Sequence, residues 1–473
     1  MRKRAHSQQE PPAEITTKEQ KEQVTTLTRE YTLLTPLFGG GVEPTEYDPV
    51  TIVRATEIRG YLRFWWRACR GGDYKTLQEL KAAEDALWGK AHKKGDKDNL
   101  KYYQTVQIVV ELPVYEVEEI RPFRISQAKD KKGNLRYTAP YDKSTDVPAY
   151  IAFPLQPTEQ ELAKNRPPKG PAPDSRPVYE NIRFNLMLTF PEKYSNDIKA
   201  AIWAWESFGG IGARTRRGFG ALKLLNQSKG DNSQKEESGA KKDSFFDEPF
   251  PMSSETSIVD DWLRARLEDK EYVSSGNAPD GVLHLSRKTR FYKVSTNDKA
   301  KEAWANLVAK LADFRQSRER RAGRGGSHWP EANAIRYILK DRKNKPLLKF
   351  PRAAFGLPIV FHFLKEPIDD QVPTLQGTNK KAERLASPLI LCLLYCGDGK
   401  TVGLALLLDG YRLPPGNIVI KEKDTASGIK GQQHKVDVAL TKGDLAQLPN
   451  LKLNGKTDIL QAFMDYVDLE RQK

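Results

Sequence analysis

A polar run in the middle of the chain divides it into two folding units. Residues 226–243, NQSKGDNSQKEESGAKKD, contain one apolar side chain, Ala240. Because a packed layer needs apolar side chains at regular intervals, this run cannot contribute an element to a core. We therefore predict a linker over 226–250, an N-terminal domain over 24–225 and a C-terminal domain over 251–473. The polar residues 1–23 show no periodicity and are expected to be a mobile tail.

The apolar pattern of the N-terminal domain predicts the order strand, helix, strand, strand, helix, strand. Apolar residues that recur every three or four positions indicate helices, and alternating β-branched residues indicate strands. The predicted helices are 56–70 and 196–208; the predicted strands are 24–36, 103–117, 182–190 and 219–225. This order is that of a ferredoxin-like domain, in which both helices cover one face of an antiparallel sheet. A proline-rich stretch, 154–177, is predicted to be an inserted loop.

The C-terminal domain shows a similar but less regular pattern. Strands are predicted at 282–294, 357–364, 389–395 and 402–408, and helices at 300–315 and 330–339. The fold class predicted for the whole chain is therefore α+β, with two tandem ferredoxin-like (RRM-like) domains that carry inserted loops.

The charge of the chain favours polyanionic partners. Its 77 Lys and Arg residues against 62 Asp and Glu give a net charge of +15. Three cysteines cannot form a disulfide framework, which indicates a reducing compartment. The longest apolar stretch, 388–396, is much shorter than the roughly twenty residues that a membrane span needs. We expect a cytoplasmic protein that does not contact a membrane.

The first predicted helix has an arginine face beside an apolar face. At 100° per residue, its arginines fall on one stripe and Ile58, Leu62, Trp65 and Cys69 on another, with Trp66 also expected in the core. The arginine stripe consists of Arg59, Arg63, Arg67 and Arg70. Guanidinium groups so close repel one another unless an anion lies alongside, and they match phosphate bidentately. The stripe is therefore predicted to bind RNA phosphates; the alternative is a solvated face paired with Glu57 and Asp73.

A glycine-rich loop, GGIGARTRRGFG at 209–220, lies between the last helix and the last strand of the N-terminal domain. Its glycines permit close approach of the backbone to a ligand, and its arginines supply charge. The residues predicted to bind RNA here are Gly210, Gly212, Arg214, Arg216, Arg217, Gly218 and Gly220. The loop matches neither the P-loop nor the dinucleotide signature. The alternative is a tight connection with no ligand.

A third basic region lies in the C-terminal domain. Residues 314–326, FRQSRERRAGRGG, carry five arginines against one glutamate, and Arg315, Arg318 and Arg321 are predicted to bind RNA. Arg352 and Arg384 precede apolar strands and are predicted to line a basic cleft, although each is equally suited to pair with a carboxylate.

The sequence predicts neither a metal nor a cofactor. Cys392 and Cys396 lie at a spacing that places both on one face of a strand, where small apolar side chains belong, and no histidine pair completes a zinc site. His328 beside the third basic region is a candidate general base, but a histidine that only hydrogen-bonds water or RNA is the more common case.

Six short patches of the sequence resemble the RAMP superfamily of CRISPR RNA-binding proteins and, within it, subunits of the type III-B (Cmr) effector complex. The patches are 35–40, 58–67, 210–212, 218–220, 355–359 and 384–389. The resemblance implies a non-catalytic subunit with two ferredoxin-like domains, which contacts guide RNA near its 3′ end and helps to capture target RNA. Its expected partners are guide RNA, single-stranded target RNA and other Cmr subunits, in antiviral defence.

Two other functions stay open at this point. In the family, target cleavage belongs to another subunit, through an aspartate in the loop after the first strand; the equivalent loop here, 39–55, contains Asp48, which we expect to be solvated. A metal-independent RAMP-type RNA endonuclease with His328 as base is the first alternative. A protein-binding assembly scaffold is the second.

Overall fold

The computed structural model describes residues 23–471 except 42–50, 91–104, 114–115, 130–132, 165–173, 230–248, 319–326, 341–343, 364–371, 379–383, 415 and 425–429. Residues 1–22 of the predicted tail, most of the predicted linker, Asp48 and Arg321 lie outside the described residues. The chain has a mixed α+β fold with several small antiparallel sheets, which confirms the predicted class.

The N-terminal half contains a four-stranded antiparallel sheet. The elements in chain order are β1 (Val24–Leu33), α1 (Ala55–Arg70), α2 (Leu77–Trp88), β2 (Gln107–Glu111), β3 (Glu118–Ile120), β4 (Ser126–Lys129), β5 (Leu135–Thr138), α3 (Ala149–Ala152), α4 (Glu159–Lys164), β6 (Val178–Glu180), β7 (Arg183–Pro191), α5 (Ser195–Phe208) and β8 (Leu222–Lys229). The strands are arranged β2-β7-β1-β8. Together with α1 and α5, they follow the predicted order of strand, helix, strand, strand, helix, strand.

The core of this half forms because strands and helices turn their apolar faces to each other. Tyr31 of β1 and Phe184 of β7 are buried with Ile58 and Leu62 of α1 and Ile202 of α5. Alternate residues of β7 are buried, as expected for a strand with one face on a core. Trp65 and Trp66 are also buried, which confirms their predicted place in the core.

Several predicted bounds in this half differ from the structure. The strand predicted to reach position 36 ends at Leu33, before Pro36, which has no backbone N–H to donate to a ladder. The last strand begins at Leu222 instead of 219, because Gly218 and Gly220 adopt positive φ in a turn. The insert between β2 and β7 is longer than the predicted loop and includes the antiparallel pairs β4–β5 and β3–β6.

The C-terminal half contains two further sheets. Its elements are α6 (Thr256–Glu268), β9 (Arg290–Asn297), α7 (Ala300–Gln316), α8 (Glu331–Lys340), β10 (Ile359–Val360), β11 (Thr374–Gly377), β12 (Leu389–Tyr395), β13 (Thr401–Leu407), β14 (Ile418–Lys421), β15 (Gln433–Val436), α9 (Lys442–Leu445) and α10 (Ile459–Arg471). Three strands are arranged β12-β13-β9 and four are arranged β10-β11-β14-β15, with every pairing antiparallel. The predicted strand 282–294 begins only at Arg290, and 357–364 contains the two-residue β10.

The β12-β13-β9 sheet joins the two halves. One face, which includes Cys392 and Leu404, shares a core with α1 and α5; the other, which includes Leu391, packs with Phe314 of α7 and Phe463 of α10. Burial on both faces explains why β12 and β13 are continuous apolar runs instead of alternating ones. The described residues contain no helix that is both long and apolar enough to cross a bilayer.

Candidate nucleic-acid interface

The arginine face of α1 is paired with α2. The Arg63 Nε lies 2.7 Å from Glu84 Oε1, and the Arg67 guanidinium donates to the same buried carboxylate. From the sequence, Glu57 and Asp73 were the possible partners of these arginines. Glu84 was not predicted, because α2 contacts α1 only through the tertiary fold. Glu57 instead accepts hydrogen bonds from the Gly212 amide, at 2.8 Å, and from the Tyr61 hydroxyl.

The two ends of the arginine stripe differ in exposure. Arg59 is half-buried, and its pKa is lowered first by burial and then by the neighbouring charge of Arg63. Arg70 is buried and donates to three backbone carbonyls, those of Asn196, Lys270 and Glu271. The role that the structure gives to Arg70 is therefore to hold α1 against its surroundings.

The glycine-rich loop folds tightly on the chain itself. A Cβ atom at Gly220, where φ is +62°, would lie 1.9 Å from the Ile211 carbonyl oxygen. A Cβ at Gly210 would lie 2.7 Å from the Gly220 oxygen, and one at Gly218 would meet the Trp304 ring. The Gly212 amide donates to Glu57, and the Gly218 and Gly220 amides donate to backbone carbonyls. The close approach that these glycines permit is therefore made by neighbouring parts of the protein.

The three arginines of the loop point to three different surroundings. Arg214 stacks over the rings of Phe38 and Phe153, with its guanidinium carbon 5.1 Å from the Phe153 centroid. Arg216 lies over Phe64 of α1, 4.9 Å from the centroid, and donates to the Ser387 carbonyl. Arg217 donates to the carbonyls of Leu389 and Phe355.

Burial and like charges act on two of these groups. The pKa of Arg214 is lowered to about 10, first by burial and then by the charge of Arg315. The pKa of Arg217 is lowered to about 9 by burial and by the charges of Arg315, Arg214 and Arg216. The loop therefore holds concentrated positive charge in partly dry surroundings.

One cleft brings α1 and the glycine-rich loop together. It has a volume of about 880 Å³, and Arg67 and Arg216 both line it. Lys81 and Lys90 add two cations, Glu84 and Asp85 contribute two carboxylates, and Phe64 and Tyr411 present rings. We call this group of residues the arginine cleft. Sequence analysis did not single out Lys81, Lys90 or Tyr411. The positive charge of Lys81 on α2 was a signal for that residue, whereas Lys90 and Tyr411 join the cleft only through the tertiary fold.

The predicted residues of the C-terminal half lie outside the arginine cleft. Arg315, at the end of α7, stacks over Tyr150 and Phe355. Arg318 is exposed beside the undescribed segment that contains Arg321. Arg352 pairs with the buried carboxylate of Glu331 at 3.2 Å, which is the alternative that the sequence left open, and Arg384 is exposed.

The residues considered for catalysis or metal binding lie in ordinary surroundings. The backbone amide of His328 donates to the Ser317 carbonyl, where the chain re-enters the described region. Cys392 and Cys396 are buried on the same face of the sheet, and burial raises the pKa of Cys396 to about 12. Within the described ranges, no three His, Cys, Asp or Glu side chains come together where a metal ion could bind.

Part of the chain is similar to known proteins. Residues 30–223 match the family model of the RAMP superfamily. CRISPR system Cmr subunit Cmr1-2 of Pyrococcus furiosus is 24% identical over 195 residues, which are 40% of this chain and 90% of that relative.

Two solved structures are similar over most of their length. The crystal structure of Cmr1 from Pyrococcus furiosus, in its apo form, covers 86% of this chain and 93% of its own, with 16% identity and a TM-score of 0.42. A chain of the cryo-EM structure of the Type III-B Cmr-beta, bound to cognate target RNA and AMPPnP in the presence of ssDNA, covers 82% of this chain and 95% of its own, with 13% identity and a TM-score of 0.44.

Proposed function

Because residues 30–223 match the RAMP superfamily, we propose that this chain is an RNA-binding, non-catalytic subunit of a type III-B CRISPR ribonucleoprotein. The relative named as a Cmr subunit supports this assignment. The subunit contacts guide RNA near its 3′ end, helps to capture single-stranded target RNA in antiviral defence, and assembles with other Cmr subunits.

The sheet topologies support a tandem pair of ferredoxin-like domains, 24–225 and 251–473, joined by the linker 226–250. In the N-terminal sheet, β1, β2, β7 and β8 are the first, second, third and fourth strands of the ferredoxin-like order. They lie side by side as second, third, first, fourth. In the second half, β9, α7, β12, β13 and α10 repeat the first five elements, and β12-β13-β9 repeats the arrangement second, third, first. Among the described residues, the β12-β13-β9 sheet has no strand in the fourth position.

The observation that carries the functional proposal is the convergence of Arg67 and Arg216 on the arginine cleft. Four cations line it against two carboxylates, so the cleft attracts phosphate. Arginine and lysine contacts to phosphate bind the backbone of RNA without reading its sequence. The Phe64 and Tyr411 rings add the aromatic character common in sites for single strands. Arg59 adds positive charge further along α1, whereas the charge of Arg63 is partly neutralised by Glu84. Base pairing between guide and target supplies the specificity.

The test is binding of fluorescein-labelled single-stranded RNA to the full chain, followed by fluorescence anisotropy. The variant Arg67→Gln/Lys81→Gln/Arg216→Gln removes three cations of the cleft. We expect its affinity for RNA at low salt to fall at least about tenfold, and the dependence of log affinity on log salt to become less steep by about 2, because each lost phosphate contact in a single strand removes about 0.7. Circular dichroism checks that the variant folds.

The control is Arg183→Gln/Lys288→Gln, which removes two exposed cations; Arg183 lies on the opposite face of β7 from the buried Phe184. We expect this control to keep most of its affinity. Equal losses in the two variants would show that net charge alone determines binding and would overturn the site. Specific RNA cleavage in the presence of EDTA that disappears in His328→Ala would contradict the non-catalytic role.

A further inference from the structure

A second group of arginines and aromatic rings lies outside the arginine cleft. Arg214 of the glycine-rich loop, Arg315 at the end of α7, and Tyr150 and Phe153 of the insert belong to three separate segments. The guanidinium group of Arg214 lies over the Phe153 ring. The guanidinium carbon of Arg315 lies 6.0 Å from the centroid of the Tyr150 ring, and Tyr150 precedes Phe153 by three residues. None of these four residues lines the arginine cleft.

Phe153 is an exposed ring on a firmly held backbone. It is 59% exposed, whereas Ile151, Ala152 and Leu155 around it are buried. Phe153 begins a short 3₁₀ turn, Phe153–Leu155, directly after α3. A large apolar side chain presented to water in this way is a suitable surface for stacking, and every nucleobase has a face that can stack on it.

The two arginines beside this ring lack a counter-charge. Among the described residues, no carboxylate pairs with Arg214 or Arg315. The Arg315 Nε atom is buried without a hydrogen-bond partner, so a donor is available there. The charges of Arg214, Arg217 and Arg315 also oppose one another, and partial burial strengthens their repulsion. An anion placed beside Arg214 and Arg315 would relieve this repulsion.

We propose that Phe153, Arg214 and Arg315 form a nucleotide subsite for single-stranded RNA, in which a base stacks on Phe153 and the adjoining phosphate lies on the two guanidinium groups. This inference rests on the proposed function and adds a contact point to it. An acidic protein segment would satisfy the guanidinium groups but would make no use of the exposed ring, which is why RNA is the occupant that the geometry favours.

The test compares substitutions of the exposed ring in the full chain. Phe153→Ala is expected to weaken binding of labelled single-stranded RNA by about fivefold or more, because stacking on an aromatic side chain contributes about 1–3 kcal/mol per base. Phe153→Trp keeps a larger ring and is expected to retain affinity. Val360→Ala, at another exposed apolar side chain, is the matched control. Because Phe153 and Val360 are both exposed, the fold is expected to tolerate all three changes, which circular dichroism checks.

Two further measurements locate the contact. Ultraviolet cross-linking with 4-thiouridine RNA, followed by mass spectrometry, is expected to give an RNA adduct on the peptide that contains Phe153. Arg214→Gln is expected to weaken RNA binding and to reduce its dependence on salt, whereas Phe153→Ala leaves the salt dependence unchanged, because stacking releases no counterions.

The outcomes separate this inference from the proposed function. If Phe153→Ala and Arg214→Gln bind RNA as the unaltered chain does, while the triple variant of the arginine cleft loses affinity, the subsite is wrong and the proposed function stands. If the unaltered chain retains no RNA at low salt, both are wrong. If Phe153→Ala loses affinity for poly-glutamate but not for RNA, the site binds acidic protein and the inference is overturned.

Discussion

Two arginine-bearing segments of this protein, α1 and the glycine-rich loop, hold their guanidinium groups in different ways. On α1, Arg63 and Arg67 share the carboxylate of Glu84. In the loop, Arg217 donates to backbone carbonyls and Arg214 stacks on aromatic rings. A regular helix places its side chains at fixed intervals, so a carboxylate on a neighbouring helix can pair with two arginines at once. The arginines of an irregular loop instead contact backbone carbonyls and aromatic rings.

The difference decides how much positive charge each segment offers to a ligand. A guanidinium paired with a carboxylate contributes little net charge to its surroundings, whereas one that contacts a carbonyl or a ring keeps its full charge. Arg63 and Arg67 of α1 are therefore partly neutralised by Glu84, whereas Arg214 and Arg217 of the loop have no such carboxylate partner. The number of arginines in a segment is a poor guide to its attraction for RNA; the partner of each arginine is the better guide.

The largest expected effect is on the free energy of unfolding, when a glycine of the loop and a glycine of α1 are each replaced by alanine. Gly220→Ala puts a Cβ atom 1.9 Å from the Ile211 carbonyl oxygen, at a φ of +62°. The backbone clash and the left-handed conformation together are expected to lower the free energy of unfolding by about 3–5 kcal/mol. Urea unfolding followed by tryptophan fluorescence measures the change.

Gly60→Ala is the matched control on α1. Gly60 is exposed within the helix, and a Cβ atom there meets nothing within 4 Å. This substitution is expected to raise the free energy of unfolding by about 0.5–1 kcal/mol, because alanine has the higher helix propensity. Similar effects of the two substitutions would show that the loop relaxes easily and that its close packing is not required.

The next effect concerns the carboxylate that neutralises α1. Glu84→Gln keeps the shape of a buried side chain but removes the charge between Arg63 and Arg67. We expect a loss of about 2 kcal/mol in the free energy of unfolding, less than for a fully buried pair because both arginines are partly exposed. RNA affinity is expected to rise, because the two guanidinium groups lose their internal counter-ion.

An exposed ion pair provides the comparison for this substitution. Lys299 and Glu302 pair at 3.2 Å on the surface of α7. Glu302→Gln is expected to change the free energy of unfolding by less than about 1 kcal/mol. If Glu84→Gln has no larger effect and leaves RNA affinity unchanged, the arginines of α1 are not neutralised by Glu84, and the contrast with the loop fails.

The sequence predicted local features well and pairings poorly. The two stripes of α1 and the order of elements in the first sheet followed from periodicity, which depends on local geometry. The pairing of Arg63 and Arg67 with Glu84 required knowledge that α2 lies against α1, about twenty residues along the chain. No periodicity encodes such a contact.

The glycine-rich loop shows the same limit in another form. Its composition indicated a backbone that something approaches closely, and the structure shows that Ile211, Leu37 and Trp304 make that approach. A glycine signals close contact without indicating whether the contact is a ligand or the protein itself. In the sheet β10-β11-β14-β15, the predicted strand 357–364 contains β10, but β11, β14 and β15 were missed because four residues are too few for an alternating pattern to be recognised.

The smallest expected effect tests Glu57, the residue that joins the two segments. Its carboxylate, on α1, accepts a hydrogen bond from the Gly212 amide of the loop. Burial raises its pKa above the usual 4.5, against the opposing effects of the Gly212 and Tyr61 hydrogen bonds and the Arg54 charge. The folded chain therefore keeps this proton to a higher pH than the unfolded chain does.

This difference gives the sign of a pH dependence. Just above pH 4.5 the folded state binds more protons at Glu57 than the unfolded state, so its contribution to the free energy of unfolding falls as pH rises. In the Glu57→Gln variant this position does not titrate, so the variant lacks this contribution to the pH dependence. The stability of the unaltered chain relative to this variant should therefore decrease with rising pH, which urea unfolding of both proteins across a pH series measures. A relative stability that increased with pH would mean that the Gly212 amide and Arg54 stabilise the ionised carboxylate more than burial destabilises it, so that α1 and the loop are joined by a charged contact.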